Sequence, residues 1–168
     1  MERWTVAVLV KNQYGVLNRV TSMFRRRQFN ISALTVSETE STEFSRITVQ
    51  FLGDELSKQQ LVNQLYKLPD VCSIKELDNT NSVSSELLLI KMANESKTRD
   101  DILTAADAFD ALTVDYAKNS IIFQLTGTSQ RIDDFINLMR DYKILEICRT
   151  GIVSLEKGSS TIRKITNL

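Results

Sequence analysis

Asn12, Gly15, Val16 and Leu17 fall together in VLVKNQYGVLNRVTSMFRR, Val8 to Arg26, where an apolar run stops at Lys11 and a helical pattern begins at Gly15. A helix N-terminus carries unpaired N–H groups and a partial positive charge. A carboxylate is a natural guest there. Gly15 has no side chain to keep that guest away from the backbone. Asn12 has both a donor and an acceptor for the other end of an amino acid, and Val16 and Leu17 supply an apolar wall. On these residues alone, the junction reads equally as a plain strand-to-helix connector, because a single glycine also serves as an ordinary helix start.

Other chemistries find less to work with. The chain has no histidine, which removes the commonest general base and metal ligand. No activated serine or cysteine is signalled, and no ligand cluster points to a metal. Asp100-Asp101 and Asp133-Asp134 are carboxylate pairs, but both are expected in first turns of helices, where acids suit the dipole. Cys72 and Cys148 lack any CxxC partner and read as buried, reduced thiols of a cytosolic protein. A phosphate loop needs more glycines than Gly15. Stacking on RNA needs exposed aromatics; Phe44 and Phe51 in FSRITVQF lack the accompanying glycine spacing.

Lys and Arg balance Asp and Glu to a net charge of zero, which argues against a polyanion as partner. Arg25-Arg26-Arg27 reads as a solvated helix end with cations suited to the dipole. MERWTVAVLV is too polar and short for a signal peptide, and no apolar run approaches membrane-spanning length. The expectation is a cytoplasmic protein with no nucleic-acid or membrane partner.

The elements that must hold these residues follow from hydrophobic period. Trp4–Val10 is apolar and β-branched, so it reads as a buried strand. Val16, Leu17, Val20, Met23 and Phe24 make one helical face. Ala33–Thr39 and Ser45–Phe51 are strands about a polar turn, with Ile47, Val49 and Phe51 on one side. Ser57 with Gln60 has capping-box spacing ahead of Leu61, Leu65 and Leu68. Pro69 forbids continuation of that helix, and Val71–Leu77 closes the set.

DNTNSVSS, Asp78–Ser85, is polar and aperiodic, as a linker would be. The same order of elements then repeats. Glu86–Ala93 is a strand with the continuous apolar run Leu87–Ile90, and Thr98 with Asp101 opens a helix carrying Ile102, Ala105, Ala106 and Phe109. Strands follow at Leu112–Tyr116 and Ile121–Leu125. Ser129 is placed to cap a helix with Ile132, Phe135, Ile136 and Met139. Ile144–Ile147 and Ile152–Leu155 close the second half. Strand-helix-strand-strand-helix-strand, twice over, predicts an α+β fold of two tandem ferredoxin-like split β-α-β domains, each an antiparallel sheet with helices on one face. The expected boundaries are 1–78, a linker at 79–85, a second domain at 86–157 and a loose tail at 158–168. A thin core of this size and open sheet edges both invite pairing with a second copy.

NQYGVLNRVTSMFRRRQFNISALTV followed by SRITVQFLGDE resembles the N-terminal ACT domain of acetolactate synthase (acetohydroxyacid synthase) small regulatory subunits. The likeness continues in order through LYKLPDVCSIKEL, ELLLIKM, LTGTS and RTGIVSLEKG. It implies an N-terminal ACT domain for effector binding and dimerisation, and a C-terminal domain contacting the catalytic subunit. The chain itself would be non-catalytic and hold no cofactor. Its partner, the large subunit, would carry thiamine diphosphate, FAD and Mg and condense two pyruvates to acetolactate. The small subunit would stimulate that enzyme of branched-chain amino acid biosynthesis and confer feedback inhibition by valine.

By the same resemblance, ACT domains pair as a homodimer. Asn12, Gly15, Val16 and Leu17 form the loop side of a valine site, and Asn30 and Ile31 of FNI form the side given by the neighbouring copy. Two residues depart from the family pattern. Tyr14 stands where a small residue or proline is commoner, and Gln28 where a glycine often precedes the aromatic-Asn pair, so Gln28 must take a turn conformation at some strain. The alternatives are a stand-alone amino-acid-sensing module and, from a faint echo in GVLNR with Arg19, an acylphosphatase-like hydrolase.

Overall fold

The computed structural model describes residues 2–78 and 80–163. The chain divides into two units: residues 1–83 with 152–168, and residues 84–151. The first contains β1 (Glu2–Lys11), α1 (Val16–Arg26), β2 (Asn30–Glu38), β3 (Phe44–Gly53), α2 (Glu55–Tyr66) and β4 (Val71–Leu77). Its sheet runs β2-β3-β1-β4, antiparallel at every pairing. This is the split β-α-β order expected from the hydrophobic period.

Strand alternation sorts the residues of this sheet. Val6, Val8 and Val10 of β1 lie opposite Val49, Ile47 and Ser45, and the apolar ones join α1 and α2 in a single core. Val16, Val20, Met23 and Phe24 of α1 and Leu61 and Leu65 of α2 are buried there with Phe51. Each large side chain so placed contributes about 2 kcal/mol. Phe51 is fully buried and Phe44 lies beneath the Arg163 guanidinium, 4.8 Å from its ring centre. Neither forms the open stacking platform that RNA would need.

The second unit contains most of β5 (Ser82–Ala93), then α3 (Arg99–Ala108), β6 (Leu112–Tyr116), β7 (Ser120–Gly127), α4 (Ser129–Met139) and β8 (Ile144–Arg149). Its strands run β6-β7-β5-β8. Leu88, Ile90 and Met92 of β5 face Leu125, Phe123 and Ile121 of β7. Ile102 and Ala106 of α3 and Ile132, Phe135, Ile136 and Met139 of α4 pack on them. Glu86 is held by a bidentate pair from Arg149, Nε to Oε1 at 2.6 Å and Nη2 to Oε2 at 3.0 Å. Nη1 of the same guanidinium reaches Asp133 at 2.8 Å.

Several expectations need correction. β5 begins at Ser82, inside the expected linker at 79–85, because Val83 and Leu87 extend its alternation. β9 (Val153–Glu156) falls with the first unit, and the strand it pairs with is β5. Arg46 of β3 donates to the Ser154 carbonyl at 2.6 Å, and Lys75 of β4 pairs with Glu156 at 2.8 Å. The expected loose tail is tied as far as Arg163, which pairs with Glu40 at 3.1 Å. Residues 164–168 lie outside the described residues.

The helix caps also differ. Asp54, not Ser57, caps α2, its Oδ1 accepting the Ser57 N–H at 2.8 Å. Thr128, not Ser129, caps α4 through the Arg131 N–H at 3.3 Å. Thr98 precedes α3 but makes no side-chain cap. Because α4 begins at Ser129, Asp133 falls beyond its first turn. Cys72 and Cys148 are free, as expected, but exposed rather than buried. β4 and β8 are sheet edges, where side chains lack a flanking strand.

Candidate effector site

β1 ends at Lys11, whose N–H donates to the Asp70 carbonyl at 2.9 Å. The next residue is fixed to the β2–β3 hairpin. The Asn12 N–H donates to the Glu43 carbonyl at 2.8 Å. Its Nδ2 donates to the Thr42 carbonyl at 2.9 Å and to Glu38 Oε1 at 3.2 Å. The amide group is therefore committed to the hairpin through its nitrogen, and its oxygen is the atom left to accept from a ligand.

Gly15 precedes α1 with φ 81°, a left-handed conformation, and no side chain caps the helix. Glycine adopts this backbone without the Cβ cost other residues bear. Helices usually satisfy their first N–H groups with a Ser, Thr, Asp or Asn side chain. Here the Val16 N–H turns back to the Gln13 carbonyl at 3.3 Å, and the first intrahelical bond is Arg19 N–H to Gly15 O at 3.0 Å. Tyr14 is fully exposed, so it points to solvent and does not crowd the junction.

The two apolar residues separate. Leu17 is 43% exposed, whereas Val16 is 3% exposed and part of the core. The Val16 side chain thus anchors the helix start, and Leu17 is the apolar side chain left exposed. Successive helical residues point about 100° apart, so the two neighbours cannot share a direction.

Sequence reading weighed Arg19 only for the hydrolase alternative. Its Nε donates to Asp70 Oδ2 at 2.7 Å. Its Nη1 lies 3.3 Å from where a Cβ on residue 15 would stand. A helical side chain leans over the preceding turn, so the spacing of four from Gly15 was the available signal. The cation adds to the helix dipole beside the uncapped turn.

Asn30 and Ile31 are not brought to the junction within one chain. Asn30 opens β2 and Asn12 holds its other end, through Glu38. Eight residue steps of strand separate those ends by about 26 Å. Asn30 is exposed and Ile31 is partly buried against the core. Gln28, just before them, has φ 57°, the strained turn conformation that its sequence position implied.

Comparison with known proteins identifies the family. Residues 6–73 match the "AHAS small subunit-like ACT domain" family and residues 85–158 match "Small subunit of acetolactate synthase". A probable acetolactate synthase small subunit of Archaeoglobus fulgidus is 41% identical over 92% of this chain and 97% of its own. The isozyme 3 small subunit of Escherichia coli is 36% identical over 96% and 99%. The crystal structure of the small subunit from Thermotoga maritima superposes with a TM-score of 0.87 at 32% identity, covering 95% of this chain and all of that one. Coverage on this scale takes in both ferredoxin-like units in order, and the chain belongs to the acetolactate synthase small-subunit family.

Proposed function

We propose that this chain is the non-catalytic regulatory subunit of a cytoplasmic acetolactate synthase, and that it binds valine between two copies of its N-terminal domain. The observation that carries the reading is the place of β2. It is an edge of the first sheet, and Asn12 is fastened to its Glu38 end while Asn30 stands at the other. A second copy added antiparallel along β2 sets the Glu38 end of each strand beside the Asn30 end of its neighbour. Each twofold-related pair then has two composite sites, as isologous contacts require. In each, the uncapped α1 turn of one copy meets Asn30 and Ile31 of the other.

In such a site the valine carboxylate lies on the N–H groups of the first turn of α1 and near Arg19. The Asn12 oxygen accepts from its ammonium group, and the isopropyl group rests on Leu17 and Ile31. A carboxylate at a helix N-terminus gains about 0.3–1 kcal/mol, and up to about 2 where partly buried. Regulation needs a difference in valine affinity between two states of the assembly, typically about 1–3 kcal/mol of coupling. The chemistry of pyruvate condensation, with thiamine diphosphate, FAD and Mg, belongs in this reading to the large catalytic subunit.

Reconstitution tests it. Addition of this chain to an acetolactate synthase catalytic subunit should raise acetolactate formation, and valine should reverse the increase. Gly15→Asp should retain stimulation and lose the valine response, since a carboxylate at residue 15 repels the ligand's own. No stimulation by the wild-type chain, or full valine inhibition with Gly15→Asp, would count against the assignment.

A further inference from the structure

The β2–β3 turn is held from two sides. Asn12 donates its N–H to the Glu43 carbonyl at 2.8 Å, and its Nδ2 reaches the Thr42 carbonyl at 2.9 Å and Glu38 Oε1 at 3.2 Å. Arg163 of the returning segment meets the same turn. Its Nη1 pairs with Glu40 at 3.1 Å, and its guanidinium lies over the Phe44 ring at 4.8 Å. The anchored positions interleave along the chain: Glu38, Thr42 and Glu43 go to Asn12, and Glu40 and Phe44 go to Arg163.

Internal bonds let the turn act as one body. The Thr39 N–H donates to the Phe44 carbonyl and the Phe44 N–H to the Ser41 carbonyl, both at 3.1 Å. The Thr39 hydroxyl donates to the Ser41 carbonyl at 3.0 Å and accepts the Ser41 N–H at 3.2 Å. Ser41 Oγ accepts the Glu43 N–H at 3.4 Å. Hydroxyl groups that bond the backbone two residues on fix a turn in this way. In the β1–β3 register Phe44 stands opposite Lys11, the residue before Asn12. A shift of Phe44 beneath Arg163 thus carries with it the carbonyls that Asn12 holds.

The docking of Arg163 is finely balanced. Its Nε and Nη2 are buried and find no hydrogen-bond partner among the described residues, a costly state for donors. The ring contact offsets part of that cost. The pair to Glu40, whose side chain is 73% exposed, adds little. A contact so close to balance responds to small changes in the turn. The segment that brings Arg163 there has ties of its own, since Lys75 pairs with Glu156 at 2.8 Å and Ser160 bonds to both at 3.0 Å. Loss of the Arg163 contacts therefore leaves the returning segment attached.

We propose that Arg163 is a positioning residue for the effector seat, acting through the β2–β3 turn on the Asn12 amide, whose oxygen is the atom left to accept from the ligand. The inference rests on the valine reading above and adds a regulatory element to that site. Coupling of this kind is reciprocal. Docked Arg163 favours the Asn12 orientation that binds valine, and bound valine favours docked Arg163.

The test is hydrogen exchange by NMR on the full-length chain, with and without valine, beside calorimetric titration. Without ligand, Arg163→Gln should speed exchange of the Asn12 N–H about threefold, while the Leu61 and Leu65 amides of α2 stay unchanged and report an intact core. Asn12→Ala should likewise speed exchange of the Arg163 Nε–H. With ligand, Arg163→Gln should weaken valine binding about threefold, and saturating valine should slow exchange of the wild-type Arg163 Nε–H by a similar factor. Unchanged Asn12 exchange in Arg163→Gln, or equal valine affinity in variant and wild type, overturns this inference and leaves the valine site standing. A wild-type chain that binds no valine strikes the valine reading itself, and this inference falls with it.

Discussion

Arg19 and Asp70 form an ion pair, Nε to Oδ2 at 2.7 Å, with Asp70 mostly buried and Arg19 about half exposed. Asp70 also accepts the Lys11 N–H through its main-chain oxygen. One residue thus fixes both the exit of β1 and the cation above the first turn of α1. The pair leaves Nη1 of Arg19 close to Gly15, on the side where the proposed carboxylate lies.

Arg19→Gln should therefore weaken valine binding about five- to tenfold, the scale of one charge-assisted contact near a helix terminus. Calorimetric titration of the purified chain measures it. Unchanged affinity would detach Arg19 from the seat and restrict its role to holding Asp70.

Gln28 bears a conformational cost that glycine would not. A non-glycine residue in the left-handed region loses about 1–2 kcal/mol, and glycine returns part of that gain through a freer unfolded chain. Gln28→Gly should stabilise the protein by about 0.5–1 kcal/mol, seen as a higher denaturant midpoint with an unchanged slope. The Gln28 N–H bond to the Arg25 carbonyl at 3.2 Å survives the substitution. A lower midpoint would show that the side chain contributes more than its backbone costs.

Asp54 gives a pH dependence with a definite sign. The Ser57 hydroxyl and N–H both donate to its carboxylate and hold its pKa below the usual aspartate value. A group depressed on folding binds fewer protons in the folded state, so its contribution is present above the ordinary aspartate range. It is lost as pH falls through the folded value. Asn is an equally good cap without a titrating proton. Asp54→Asn should thus flatten the acid limb of the stability curve while changing little at neutral pH. An identical acid limb in both proteins would exclude Asp54 as a contributor.

Much of this structure was legible from hydrophobic spacing. Ile132, Phe135, Ile136 and Met139 were identified as one helical face and are all buried, because the 3.6-residue period has no rival reading there. Ile47, Val49 and Phe51 fell on one strand face for the same kind of reason. Caps were less legible. Asp54 and Ser57 are both cap-forming types three residues apart, and only the three-dimensional turn decides which side chain accepts. Cys72 and Cys148 were assigned by residue type, which is blind to edge position.

The return of residues 152–163 to the first unit depends on Arg46, Lys75 and Glu40. These partners are more than 80 residues away in sequence, and no local pattern announces them. At the β1–α1 junction, Gly15 and Asn12 stand out in the sequence because turn chemistry is local. The approach of Arg19 to Gly15 is less legible, because it follows from helical geometry rather than from a motif. Val16 and Leu17 look alike in sequence, and only the packing shows that the first is in the core and the second exposed.

The central claim is that each valine site is made by two copies, with the α1 turn from one and Asn30 from the other. The direct measurement is complementation between Gly15→Asp and Asn30→Ala chains, purified separately, then unfolded and refolded together. Each variant alone should bind valine poorly. A mixed dimer should regain one intact site, built from the normal turn of one chain and the normal Asn30 of the other. Random mixing should therefore restore about a quarter of wild-type capacity at wild-type affinity. Failure of the mixture to bind better than either variant alone would contradict the account.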